Sequence, residues 1–293
     1  MKVIRETEMV NNPDDQGQHR ISQVYLRQFG YKDDNGKYWI SVWKLGDEYT
    51  DRKSVKSFTK EVNIFDLPFD GKKSKRLFEE LNCDIETYYP KIIQELDINS
   101  KLSDKSKAFL ISLVVNFLCR THPFRNTIKT FLESDLRELF ITEITSFLPD
   151  KGRFLKSFTE KVRSEHHLNF TLLAVWYYFC KKLTSSNFDY VIIKDYQSRG
   201  WLTTDNPVVI KSNIDYHTLI AKETEIFFPI SPTYCLYMDH MDYNQCRILR
   251  GFHENEVIDS TEDLHEKIMN ILWKNAYQFV LYPVDLPRIK LSK

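Results

Sequence analysis

Residues 104–120 read DKSKAFLISLVVNFLCR, and from Phe109 to Cys119 the apolar side chains leave almost no polar face. A helix that is apolar nearly all round belongs in the middle of a fold. The run is too short to cross a bilayer, which needs roughly 20 apolar residues, and it carries Ser112 and Asn116. It therefore reads as the central helix of a soluble protein with no membrane partner.

Outward from this helix, residues 73–97 place Leu77, Leu81, Ile85, Tyr88, Ile92 and Leu96 at three- and four-residue steps, with Pro90 as a potential kink. That spacing predicts an amphipathic helix. Further helices are expected over 126–147, 154–166 and 170–183, the last closed by Lys181 and Lys182, which suit its negative end. Alternating or β-branched runs bounded by turn residues predict strands at 38–45, 188–194, 200–204, 207–211, 225–230, 234–238 and 277–282, and 53–66 reads as a short strand with an irregular approach to Phe65. A short helix is expected over 19–29, capped by Ser22 and ended by Gly30. Another is expected over 261–275, opened by Ser260 with Asp263.

Strands at both ends with helices between predict an α+β fold. The largely helical middle, about 72–184, would be flanked by N- and C-terminal strands that join in one mixed or antiparallel sheet. Residues 1–18 are expected to be a flexible arm, and 19–293 a single domain with a strand-rich part at about 188–240.

Lys and Arg number 41, as do Asp and Glu, so no global basic excess offers itself to nucleic acid. A nucleotide or nucleic acid could be met only through a local patch, such as Lys72, Lys73, Lys75 and Arg76. Zero net charge also favours self-association into a homo-oligomer. Five cysteines without CxxC spacing read as reduced thiols of a cytoplasmic protein, and the polar first 18 residues show no secretory leader. Eight glycines in 293 residues are few against a usual share of about 7%. With no GxG anywhere, a dinucleotide fingerprint and a P-loop are both excluded.

Chemistry is carried by three polar groupings. Ser112, Asn116 and Arg120 share one face of the apolar helix, so the guanidinium must find carboxylates or carbonyls. Glu79 and Glu86, on one face of the preceding helix, are its candidate partners. His19, Gln23 and Arg27 are also spaced by four, and His19 could act as acid, base or ligand. Thr203-Thr204-Asp205-Asn206-Pro207 reads as an Asx-type turn from which Asp205 could hold a metal or orient water. His166-His167 and the group Cys235, His240, Cys246 and His253 fit no zinc spacing.

The stretch from His19 through Gln23-Val24-Tyr25-Leu26-Arg27-Gln28-Phe29 resembles the N-terminal signature of a bacterial family catalogued as domain of unknown function 4238. Thr204-Asp205-Asn206-Pro207-Val208 and Phe228-Pro229-Ile230-Ser231-Pro232 resemble its later motifs. Asn63-Ile64-Phe65, Glu86, Arg120 with Pro123, and Asn275 with Phe279-Val280 stand in the family's order, from residue 19 to 282. Ser22 replaces a frequent proline, and the step from Arg120 to Pro123 is one residue longer. The resemblance names no activity. It implies that His19, Arg27, Glu86, Arg120, Asp205 and Asn206 belong to one arrangement.

Two functions are expected from these residues. One is a hydrolase of a phosphate-containing substrate, a nuclease or nucleotide hydrolase of a defence or toxin system. In it Arg120 holds the anion, His19 moves a proton and Asp205 serves a Mg²⁺ or Mn²⁺ ion, with Gln23, Arg27, Asn116 and Asn206 around the substrate. The other is a non-catalytic binding or assembly module in which the same cluster braces the fold.

Overall fold

Helix α4 (Asp104–Arg120) is buried along its length from Leu110 to Arg120, save for the half-buried Ser112. The computed structural model describes residues 15–68, 71–148, 165–185, 188–211, 224–240, 248–249, 252 and 255–283. Against α4 pack α3 (Leu77–Asn99) and α7 (Glu165–Ser185), with α5 (His122–Glu133) and α6 (Arg137–Ile144) alongside. A four-residue helix, α2 (Lys72–Lys75), precedes α3. The single helix expected over 126–147 is two, because Ser134 leaves the helical conformation at φ −91° and ψ 169°. Pro90 lies inside α3, which continues to Asn99. Most of the helix expected over 154–166 lies outside the described residues.

The strands β1 (Gly17–His19), β2 (Tyr31–Lys32), β3 (Tyr38–Lys44), β4 (Thr50–Ser54) and β5 (Lys60–Val62) precede the helices. After them come β6 (Phe188–Lys194), β7 (Thr203–Thr204), β8 (Val209–Lys211), β9 (Glu225–Pro229), β10 (Tyr234–His240), β11 (Glu256–Asp259) and β12 (Phe279–Tyr282). The fold is α+β with mixed and antiparallel sheets. The two ends of the chain do join: β12 pairs antiparallel with β3, Val280 opposite Trp43, and β7 pairs with β12. Among the described residues the strands nevertheless divide into three sheets rather than one. The order β2-β3-β12-β7, with β4 on β3, makes one, β11-β6-β10-β9-β8 another, and β1-β5 a small ribbon. The division follows burial, since β9 and β10 are buried at every residue and require covers on both faces.

The N-terminal arm ends earlier than expected. Residues 1–14 lie outside the described residues, but Gly17 and Gln18 already pair with Val62 and Glu61. Gln18 is fully buried, donating to Asp66 Oδ1 at 3.2 Å and accepting from the Phe65 amide at 2.6 Å. His19 therefore lies in β1, and helix α1 (Gln23–Gln28) starts after Ser22, whose hydroxyl makes no capping bond. Helix α8 (Glu262–Lys274) is capped by Thr261, which accepts from the Leu264 amide, and not by the expected Ser260.

Candidate functional site

Arg120, the last residue of α4, is only 1% exposed. A guanidinium in that position is tolerable only with acceptors close by. It finds them on three elements. Nη1 donates to Glu86 on α3 and to Asn116 Oδ1 at 3.2 Å, and Nη2 donates to the backbone oxygen of His19 on β1. Asn116 in turn donates to Asn82 Oδ1 at 2.6 Å, and Asn82 donates to Glu79 Oε2 at 2.9 Å. Glu86 thus meets the guanidinium directly, and Glu79 only through two asparagines. Burial pushes the Glu79 carboxyl above its usual range, with Arg120 opposing. Phe65 lies between two guanidinium groups, 5.3 Å from Arg120 and 5.9 Å from Arg125.

The His19 ring reaches the carbonyl oxygen of Lys56 at 3.0 Å through Nε2. A carbonyl only accepts, so this bond needs the hydrogen on Nε2; the Gln23 amide nitrogen lies 3.2 Å from Nε2 and 3.5 Å from Nδ1. Burial holds this imidazole below its usual value, and the Arg120 charge acts in the same direction. Arg27 is exposed, 3.5 Å from Gln23 Oε1 and 5.4 Å from the Tyr38 ring centre. The row of His19, Gln23 and Arg27 is therefore real, although its first member stands on a strand.

Asp205 belongs to a different set of bonds. Its Oδ1 accepts from the Tyr277 amide and its Oδ2 from the Gln278 amide, each at 2.9 Å. Burial raises its carboxyl above the usual range although these amides pull it down. It bonds to neither His19 nor Arg120. Asn206 and Asn275 are reciprocal partners, Asn206 Nδ2 donating to Asn275 O at 3.2 Å and Asn275 Nδ2 to Asn206 O at 2.7 Å. The Asp-Asn-Pro turn is thus pinned to the connection between α8 and β12. His19, Gln23, Asn116, Glu86 and Arg120 form one cluster, while Asp205 and Asn206 form another.

Arg20 stands between them. It holds Glu61 through Nε and through Nη2, the latter at 3.0 Å, and Nη1 donates to the Arg120 carbonyl at 3.3 Å. Arg20, Lys53, Glu61, His122 and Asp205 line a cleft of about 390 Å³, together with Ile21, Phe58 and Phe279. His122 Nε2 is 3.7 Å from Glu61 Oε1, and its ring lies over Tyr277 at 5.7 Å. Sequence reading missed Arg20, Glu61 and His122, because each stands on a short ribbon or at a helix start where periodicity has no hold. His122 figured only within the spacing from Arg120 to Pro123, ahead of the helix expected from residue 126.

Elsewhere, no group of three His, Cys, Asp or Glu that could hold a metal ion occurs among the described residues. Asp205 thus belongs to no such group among the described residues. Cys83, Cys119, Cys180 and Cys235 are free thiols, while Cys246, His253 and the His166 side chain lie outside the described residues. Lys75 of the basic cluster is paired with Asp66 Oδ2 at 3.0 Å. No described helix is long and apolar enough to cross a membrane.

Residues 17–283 match the family described as protein of unknown function (DUF4238). Neither a curated protein nor a solved structure matches the chain.

Proposed function

The chain belongs to the DUF4238 family of proteins of unknown function, and from its geometry we infer that the shared polar residues are an internal brace of a non-catalytic binding module. The observation that carries this reading is the burial of Arg120, 1% exposed, with its bonded donors turned inward to α3, α4 and β1. A substrate cannot use a guanidinium so enclosed. Other signature residues behave alike. The Tyr25 hydroxyl donates to Pro229 O at 2.8 Å and lies 2.6 Å from Thr203 Oγ1, which ties α1 to both large sheets. The working surface of the module is the cleft beside the brace. Removing one partner of a buried ion pair costs about 3–5 kcal/mol. Arg120→Ala should therefore lower the urea midpoint by a large part of the whole stability. An Arg120→Ala chain as stable as the parent would refute the brace.

A second reading, the hydrolase of a phosphate-containing substrate, has its own support in the cleft. His122, Glu61 and Asp205 line it together with Arg20 and Lys53, an imidazole and carboxylates beside cations. On this reading His122, and not His19, moves the proton. Incubation with nucleotides and short nucleic acids in Mg²⁺ or Mn²⁺ should then yield products, and His122→Ala should abolish turnover while the melting temperature stays. Absence of any product across such a set would leave the binding module alone.

A further inference from the structure

We propose that the cleft binds a phosphomonoester carrying a planar ring, of the size of a mononucleotide; this rests on the binding-module reading and names its ligand. The lining includes an aromatic pair, Phe58 and Phe279, which meet edge to face at 5.5 Å and 76°. An aromatic pair suits a flat ring, and about 390 Å³ lies in the range of small-molecule sites, roughly 300–1,000 Å³.

The rim decides what the ring carries. Both carboxylates of the lining are already answered, Glu61 by Arg20 and Asp205 by two amides. A guanidinium has five N–H groups. In Arg20 one on Nε and one on Nη2 go to Glu61, and one on Nη1 goes to the Arg120 carbonyl. That leaves two without a partner among the described residues, on a side chain 12% exposed. Lys53 adds an ammonium, 2.5 Å from Asp51 yet 46% exposed, and His122 adds an imidazole that is 47% exposed. Three nitrogen-bearing side chains therefore line the cleft with two carboxylates that are already bonded, and they come from three separate elements, β4, α5 and the residue after β1. A phosphate dianion offers such groups three terminal oxygens, where a carboxylate offers two.

The brace has a part in this. The carbonyl of Arg120 fixes one edge of the Arg20 guanidinium, and Glu61 fixes another, so the unpartnered N–H groups are aimed before any ligand arrives. The backbone at residue 120 thereby helps to orient Arg20 without touching what binds in the cleft.

The test is calorimetric titration of the full chain, in phosphate-free buffer, with adenosine 5′-monophosphate, adenosine and inorganic phosphate as separate probes. The monophosphate should saturate, and bind about tenfold more tightly than either fragment. Lys53→Ala should weaken it about threefold with an unchanged melting temperature, as befits a half-exposed cation. Arg20→Lys, which keeps the charge and loses the fork, should weaken it further. Adenosine binding as tightly as its monophosphate would overturn the phosphate assignment, and binding indifferent to both substitutions would overturn the location. No saturable heat from any probe, on protein that melts normally, would overturn the proposal itself. Release of phosphate during the titration would uphold the ligand class and refute the non-catalytic reading, so the two fail separately. The brace fails only by the Arg120→Ala melt.

Discussion

At the residue scale, what could be foreseen was the need of a side chain, and what could not was the partner that meets it. Arg120 on an apolar helix had to be paired, and Glu86 was nameable because it shares a face with Glu79 one helix earlier. That the third partner is the backbone oxygen of His19 depends on a ribbon no periodicity reveals. Gly30 makes the same point. It is foreseeable as a helix-ending glycine in the left-handed region, yet among the described glycines the positive φ values fall at Gly36, Gly46, Gly71 and Gly200. Gly30 is needed for close approach instead. A Cβ there would stand 2.5 Å from the Trp39 carbonyl oxygen and 3.1 Å from that of Leu26. Gly30→Ala must push α1 away from β3, and overpacking of this kind costs about 1–3 kcal/mol. The urea midpoint should fall accordingly, and an unaltered midpoint would refute the close-approach account.

At the element scale, long segments were legible and short ones were not. The apolar α4, the stepped face of α3 and the fully matched β6 announce themselves by period and length. β1, β5 and β11 are three or four residues long and owe their existence to what they pair with. Helix α8 shows what an element can add to pH behaviour. Its His265 is 3% exposed, stacks on Trp201 at 4.4 Å, and through Nδ1 accepts from the Tyr196 amide at 3.4 Å. Asp195, Arg199 and Glu266 are the charges that face it. Burial holds its proton affinity below the ordinary value of 6.5, with Asp195 opposing. The folded state thus prefers the neutral ring. Its contribution is complete above the unfolded value and is lost as pH falls through the folded one. Between about pH 7.5 and 5.5 the urea midpoint should therefore drop, and His265→Gln should flatten part of that slope. Equal slopes in the two chains would assign the effect elsewhere, to His19 first.

At the scale of the whole molecule, the decisive contact joins the beginning of the chain to its end. β12 lies between β3 and β7, so the N-terminal strands complete their sheet only when residues 279–282 arrive. Tyr25 and Arg120 carry the same linkage through the interior, to Pro229 and to His19. The helical block is therefore enclosed by bonds between residues far apart in sequence, and the two apolar cores share strands, β6, β9, β10 and β12 each sending residues to both, as Leu281 and Val280 do. It follows that unfolding should be one cooperative event. Trp43 reports the first sheet, where its ring lies 4.9 Å from that of Trp273 at a tilt of 38°, and Trp201 reports the neighbourhood of the second. Tryptophan fluorescence and far-UV circular dichroism should give superimposable urea transitions. Leu281, fully buried on β12, is the place to press the argument. Leu281→Ala should cost about 2–5 kcal/mol and shift both signals together. If the helical signal kept its midpoint while the tryptophan signal moved, the two ends would be a separate unit, and the enclosure argued from β3 and β12 would be wrong.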